Sequence, residues 1–309
     1  MAKTKYGDCL VHKPGAFPLE LQGKGGSTSK DPVPGVKATH VMTTDESVQK
    51  GFFTVDCSWM WSGAAKGPAG DPHTHEFPHV IGFIGGYPED PQDLGGEISI
   101  WLDGNKETLT RNALIFVPAG VVHGPILFTK ITRPVFFITI AMAGKYTWKT
   151  AAAPAKAKAK KYTIMDHTKE RFTVAAGAKT EAPPPPPRPS TVKGARILHI
   201  EDDMVPGSFY VDFVWIFSGT GGAPAPEHTH EWPELIAMAG ADPAHPRELG
   251  GKMSIVLGDE THYTDLSTLV CIPKKTVHCP WLFHDIQRPT LVFSAGPQGM
   301  YTGSHKKEK

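Results

Sequence analysis

Short apolar runs rich in β-branched and aromatic residues, separated by Gly and Pro, punctuate the chain in an order that occurs twice. Thr54-Val-Asp-Cys-Ser-Trp-Met-Trp61 and Tyr210-Val-Asp-Phe-Val-Trp-Ile-Phe217 each close on Ser-Gly. Residues of this kind before a turn signal predict strands. Glu97-Ile-Ser-Ile-Trp-Leu102 matches Lys252-Met-Ser-Ile-Val-Leu257, and Leu114-Ile-Phe-Val-Pro118 matches Leu269-Val-Cys-Ile-Pro273. Each half ends on an apolar strand, Val135-Phe-Phe-Ile-Thr-Ile140 and Thr290-Leu-Val-Phe-Ser294. Neither half carries a long amphipathic helical period. Short strands at regular spacing with turns between them predict an all-β protein, an antiparallel barrel or sandwich in each half.

The segments between follow from composition. Residues 1–36 are polar and rich in Gly and Pro, which predicts an extended N-terminal arm. Lys5-Tyr6 with Phe17 matches Lys161-Tyr162 with Phe172, so the arm shares in the repeat. Residues 37–149 form the first domain and 194–303 the second. The linker over 150–193 holds an Ala/Lys tract and an unbroken proline run from Pro183 to Pro187, and 304–309 is a solvated tail. Within each domain, Gly85-x2-Pro88-x2-Pro91-x2-Leu94-Gly-Gly96 and Gly240-x2-Pro243-x2-Pro246-x2-Leu249-Gly-Gly251 predict a loop at the barrel rim.

A chain of 309 residues accommodates two domains of ordinary size. The formal charge of +1 gives no electrostatic case for nucleic acid or an anionic membrane, so neither is an expected partner. Cys9, Cys57, Cys271 and Cys279 form no C-x-x-C pair. With no secretory signal and no long apolar run, they read as free thiols in the cytoplasm.

Histidine changes the picture. Of the 15 in the chain, seven fall at two places that repeat with one offset: His73, His75 and His123 stand 155 residues before His228, His230 and His278. Position 79 is His and its counterpart is Glu234. On an extended strand residues 228, 230, 232 and 234 share one face, so one strand aims two imidazoles and a carboxylate at one point while a neighbour supplies His278. Such a set suits a divalent first-row metal.

The pattern Gly67-x5-His73-x-His75-x3-His79-x6-Gly86 with Pro118-x-Gly120-x2-His123, and Gly222-x5-His228-x-His230-x3-Glu234 with Pro273-x4-His278, resembles the two motifs of the cupin superfamily. The departures are His79 for Glu, Lys275 and Ala241 for Gly, and Leu127 and Leu282 for the trailing Asn. The resemblance covers both halves and implies a bicupin: two tandem antiparallel jelly-roll barrels from an internal duplication, each with one divalent metal. The implied ligands are His73, His75, His79 and His123 in one barrel, and His228, His230, Glu234 and His278 in the other.

Fe(II) is the favoured ion, with Mn, Ni, Co or Zn as alternatives. The leading expectation is a dioxygenase of a small, aromatic or anionic substrate, with Glu234 as ligand and, on detaching, a proton acceptor. The alternatives are an Mn-dependent decarboxylase or lyase, a sugar isomerase, and a non-catalytic metal- or ligand-binding protein. The first site, all imidazole, is expected to leave the metal its full charge. Glu76 and Glu231 should face outward, as should Cys279. Trp59, Trp61, Phe77, Trp215 and Trp232 are candidate walls of the approach. Arg133 and Arg288 read as surface residues at strand starts. Homo-oligomerisation is left open.

Overall fold

A computed structural model describes residues 4–15, 18–21, 33–86, 89–154, 159–166, 190–222 and 226–301, with the backbone of 304–305. Phe17, Phe172, Pro88, the proline run and most of the tail lie outside the described residues. In chain order the strands are β1 Leu10–Val11, β2 Val36–Thr44, β3 Thr54–Gly63, β4 His73–Thr74, β5 His79–Ile84, β6 Asp93–Leu102, β7 Asn105–Arg111, β8 Ala113–Val117, β9 His123–Ile131, β10 Val135–Ala141 and β11 Lys149–Thr150. There follow β12 Thr163–Met165, β13 Lys193–Ile200, β14 Tyr210–Gly222, β15 His228–Thr229, β16 Glu234–Gly240, β17 Glu248–Leu257, β18 Glu260–Leu266, β19 Thr268–Ile272, β20 His278–Ile286, β21 Thr290–Gly296 and β22 Ser304–His305. The described residues hold no α-helix, only the 3-10 turns Gly7–Cys9 and Leu19–Leu21. Among the described residues no helix is long and apolar enough to cross a membrane.

The chain divides into two compact units, Lys13–His167 and Met1–His12 with Thr168–Lys309. In the first, one curled antiparallel sheet runs β11-β4-β9-β3-β10-β5-β8-β12, with β2 on β3 and the β6–β7 hairpin on β9. In the second the order is β1-β19-β16-β21-β14-β20-β15-β22, with β13 on β14 and the β17–β18 hairpin on β20. The orders correspond strand for strand, which realises the duplication as two jelly rolls. The two added edges also correspond. Thr163–Met165 pairs with β8 of the first unit, and Leu10–Val11 pairs with β19 of the second.

The interior of the first barrel is packed by Met60, Ile81, Phe83, Ile98, Ile100, Phe128 and Phe137, all buried. Phe83 stacks on Phe137 at 5.2 Å and meets Phe128 edge-on at 6.3 Å. Such ring pairs add to the area they bury. The second barrel is filled by Ile216, Ile236, Met238, Met253, Ile255 and Val292. Every other residue of β3 and β14 points inward, so Met60 and Ile216 enter the cores while their neighbours face the opposite side.

Candidate metal centres

Each site begins from a pair of cross-strand histidines. His73 on β4 lies opposite His123 on β9, and His228 on β15 lies opposite His278 on β20. Directly opposed residues bring their Cβ atoms to about 5 Å, close enough for two rings to share one ligand. The remaining donors do not ride one continuous strand as alternation predicts. The chain is extended only at 73–74 and 228–229, bends through the next residues, and resumes as β5 and β16 at positions 79 and 234. The bend is tied to the loop that carries the third histidine: Gly120 N–H donates to His75 O at 2.8 Å, and Lys275 N–H to His230 O at 2.7 Å. Gly120 and Lys275 have φ of +76° and +64°, so the lysine adopts the left-handed backbone its glycine counterpart takes freely, at about 1 kcal/mol.

Backbone carbonyls set the imidazole orientation. Nδ1 of His73, His75 and His123 lies 2.7, 2.7 and 3.0 Å from the carbonyls of Asp71, Thr147 and Val121. Nδ1 of His228 and His278 lies 2.7 and 2.9 Å from those of Pro226 and Thr276. A carbonyl only accepts, so Nδ1 carries the proton and the Nε2 lone pair faces the centre.

In the second barrel His228, His230, Glu234 and His278 converge as expected, with donor atoms within 4.8 Å of one another and all four residues buried. Glu234 Oε2 lies 2.7 Å from His278 Nε2 and 3.1 Å from His230 Nε2. Neither Glu234 Oε2 nor His278 Nε2 has a hydrogen-bond partner. A carboxylate facing imidazole nitrogens at such distances in a dry interior is satisfied by a shared cation, a proton or a metal ion.

The first barrel departs from expectation. Its group within 4.8 Å is Glu20, His73, His75 and His123, all buried. Glu20 comes from the arm, and its Oε1 sits 3.1 Å from His123 Nε2 and 3.3 Å from His73 Nε2. His79 stands beside this group, its ring 4.7 Å from that of His75 and 4.6 Å from that of His123, with Nε2 4.0 Å from Glu20 Oε2. The expected neutral, all-imidazole environment is therefore corrected: a carboxylate is present, and both barrels carry one.

The charges respond to this packing. Burial alone would raise both carboxylates. The imidazoles outweigh it, holding Glu20 well below the usual range through His123 and His73 and Glu234 at about 2 through His230 and His278. Burial lowers His75 to about 4 and, with the charge of His278, lowers His228 to about 4. Burial and His123 push His79 well down. For His73 and His278 the neighbouring carboxylates, Glu20 and Glu234, overcome burial and raise the pKa.

A tyrosine reaches each cluster from equivalent positions, a pair absent from the sequence reading. Tyr146 Oη is 3.0 Å from His75 Nε2 and donates a short hydrogen bond to Glu20 Oε2; Tyr301 Oη is 2.8 Å from His228 Nε2. Burial and the nearby carboxylates raise both phenols, which stay protonated. The signal was available: Gly144-Lys-Tyr146 and Gly299-Met-Tyr301 keep the 155-residue offset of the histidines.

Of the aromatic residues, Phe77 stacks on His75 at 4.9 Å and Trp232 lies 4.7 Å from His230, so both wall the clusters. Trp59, Trp61 and Trp215 do not. Trp59 packs on Phe136 and Trp61 while Met60 between them enters the barrel core, and Trp215 shares the outer face with Phe217. Glu76 and Glu231 are exposed and pair with Lys149 and Lys275. Arg133 and Arg288 pair with Asp93 and Asp242. All four cysteines are buried and none forms a disulfide. Cys279 is not outward: a φ of +72° and a register shift in the facing β17 turn it into the core of the second barrel.

No family model matches the chain, and no curated protein does. Solved structures match over most of it. An oxalate decarboxylase studied for its substrate binding mode and reaction-specificity switch aligns with a TM-score of 0.50 at 11% identity, over 87% of this chain and 75% of that one. The Bacillus subtilis oxalate decarboxylase in which the EPR fine-structure parameters of the Mn(II) centres were assigned by site-directed mutagenesis gives the same values. A point mutant of the same B. subtilis enzyme matches at 10% identity with the same coverage and TM-score. The fold is that of a bicupin, and each barrel carries one buried His/Glu cluster suited to a divalent metal.

Proposed function

We propose that the protein is a divalent-metal-dependent decarboxylase of a small carboxylate, with oxalate the first substrate to try and Mn(II) the first metal. The observation that carries this reading is the pairing, in each barrel, of three imidazoles and a carboxylate with a protonated tyrosine hydroxyl. His73, His75 and His123 with the carboxylate beside them would hold one ion; His228, His230, Glu234 and His278 would hold the other. Imidazole with carboxylate suits Mn(II) and Fe(II). When bound, such an ion supplies a Lewis acid that draws charge toward the substrate carboxylate.

The chain's own residues supply the rest. Breaking the C–C bond of oxalate releases CO2 and leaves an electron pair that must take a proton to give formate. Tyr146 and Tyr301 hold that proton, and solvent restores it afterwards. Phe77 and Trp232 narrow the space around the second histidine of each set. The neighbouring folds belong to oxalate decarboxylases, which favours this chemistry over the Fe(II) dioxygenase expected from the sequence, although the same donors serve either. The discriminating experiment incubates metal-loaded protein with labelled oxalate and then with other small carboxylates. Formate and CO2 in equal amounts without net O2 uptake support the proposal. O2 uptake matched to product would replace it with the dioxygenase, and turnover of nothing in the series would overturn it.

A further inference from the structure

The two centres agree at three imidazoles and at the carbonyls that orient the first and third of them. A tyrosine from equivalent positions stands beside each, Tyr146 at the second histidine and Tyr301 at the first. At the fourth position of the motif they differ, since β16 begins with Glu234 and β5 begins with His79. We propose that Glu20, carried by the arm outside the barrel repeat, is the carboxylate ligand of the first centre, so that metal binding there and docking of the arm are one linked equilibrium. The inference rests on the metal-binding reading above.

The geometry makes the substitution nearly equivalent. In the second barrel one oxygen of Glu234 lies 2.7 and 3.1 Å from two Nε2 atoms; in the first, one oxygen of Glu20 lies 3.1 and 3.3 Å from two Nε2 atoms. Both oxygens are buried without a hydrogen-bond partner. The second Glu20 oxygen is occupied by the Tyr146 hydroxyl, which leaves Oε1 directed at the imidazoles. The His79 ring fills the place from which a strand carboxylate would reach the centre, and neither of its nitrogens has a hydrogen-bond partner. A carboxylate for this site must therefore arrive from elsewhere.

The arm is clipped down at the right place. Glu20 sits in the 3-10 turn Leu19–Leu21, and Leu21 is 2% exposed within the barrel core. Leu19 N–H donates to Asp56 Oδ2 at 3.2 Å, Gly15 N–H donates to Thr43 Oγ1 at 2.9 Å, and Thr43 N–H donates to Lys13 O at 2.9 Å. These contacts join the arm to β2 and β3, not to the strands that carry the histidines. A metal that uses Glu20 binds only the docked arm, so it stabilises docking, and docking raises its affinity by the same factor.

The test counts Mn(II) bound to the full metal-free chain by equilibrium dialysis, and follows hydrogen exchange of a peptide containing Leu19–Leu21. Wild type should bind two ions, and Mn(II) should slow exchange in the arm. Glu20→Gln should weaken one of the two sites about tenfold or more and abolish the slowing. His79→Gln should keep both ions, with a smaller loss of affinity than Glu20→Gln. Glu20→Gln combined with His79→Glu, which puts the carboxylate back on β5, should restore the second ion without restoring slowed exchange in the arm; this rescue separates a lost ligand from a misfolded barrel. Two ions of unchanged affinity in Glu20→Gln, or loss of one ion in His79→Gln, would sink the arm assignment alone. Wild-type protein that takes up no Mn(II) would sink the metal reading as well.

Discussion

Replacing Glu234 by Gln keeps the volume of a side chain only 3% exposed and removes the charge that faces two imidazole nitrogens. The consequence should be a barrel whose stability no longer responds fully to metal. An ion at one hundred times its Kd stabilises the state that binds it by about 2.7 kcal/mol. The unit concerned comprises Met1–His12 and Thr168–Lys309, a size for which 1 kcal/mol moves the melting temperature by about 2–4 °C. Metal should therefore raise its midpoint by roughly 5–10 °C. If losing the ligand weakens binding at least as much as losing an outer partner of one does, about 10- to 100-fold, the same metal concentration leaves no more than about 1.4 to 0.4 kcal/mol, or a rise of at most roughly 1–6 °C. Calorimetry of metal-free protein with and without added Mn(II), on wild type and Glu234→Gln, measures both shifts. An equal metal-induced rise in the two proteins would refute the assignment of Glu234 as a ligand.

Three further outcomes follow from the same contacts. His228, at about 4 in the fold against about 6.5 unfolded, binds fewer protons when folded, so its contribution to stability falls as pH drops from about 6.5 to 4, by at most about 3 kcal/mol. His228→Gln should flatten that limb in urea titrations of metal-free protein, and parallel curves would remove the argument. Glu234, at about 2, adds its own loss below about pH 4.3, whereas the raised His73 and His278 work in the opposite direction. Tyr146→Phe and Tyr301→Phe should keep their metal and lower CO2 release about 10²- to 10⁴-fold in whichever barrel turns over, with unaltered rates excluding the phenols as proton donors. Phe83→Ala, opening a hole between Phe128 and Phe137, should cost about 3–5 kcal/mol in urea unfolding while leaving the second barrel's metal in place.

The strands were legible because each is a short apolar run ended by Gly or Pro, and a two-fold repeat doubles the signal. The histidines were legible because one offset relates all three pairs. The route by which they converge was not, since alternation assumes a straight strand and the chain bends after Thr74 and Thr229. Trp59, Trp61 and Trp215 illustrate a parity rule left unapplied: Met60 and Ile216 enter the cores, so the tryptophans beside them must face the other way.

Tyr146 and Tyr301 carried the same offset as the ligands and could have been found. Glu20 could not. It lies in a Gly- and Pro-rich arm without periodicity, its counterpart at the 155-residue offset is Ala175, and tertiary docking alone brings it to residues more than fifty positions away. The carboxylate missing from the motif at position 79 was the one hint that another part of the chain had to supply it.

The most direct test of the account is the metal content of protein purified without chelators and then loaded anaerobically with Mn(II), measured on wild type, His123→Ala and His278→Ala. Two ions per chain are expected in wild type and one in each variant, with the remaining ion bound as tightly as before. Wild-type protein without metal after loading, or variants that keep both ions, would contradict a barrel-by-barrel pair of metal centres.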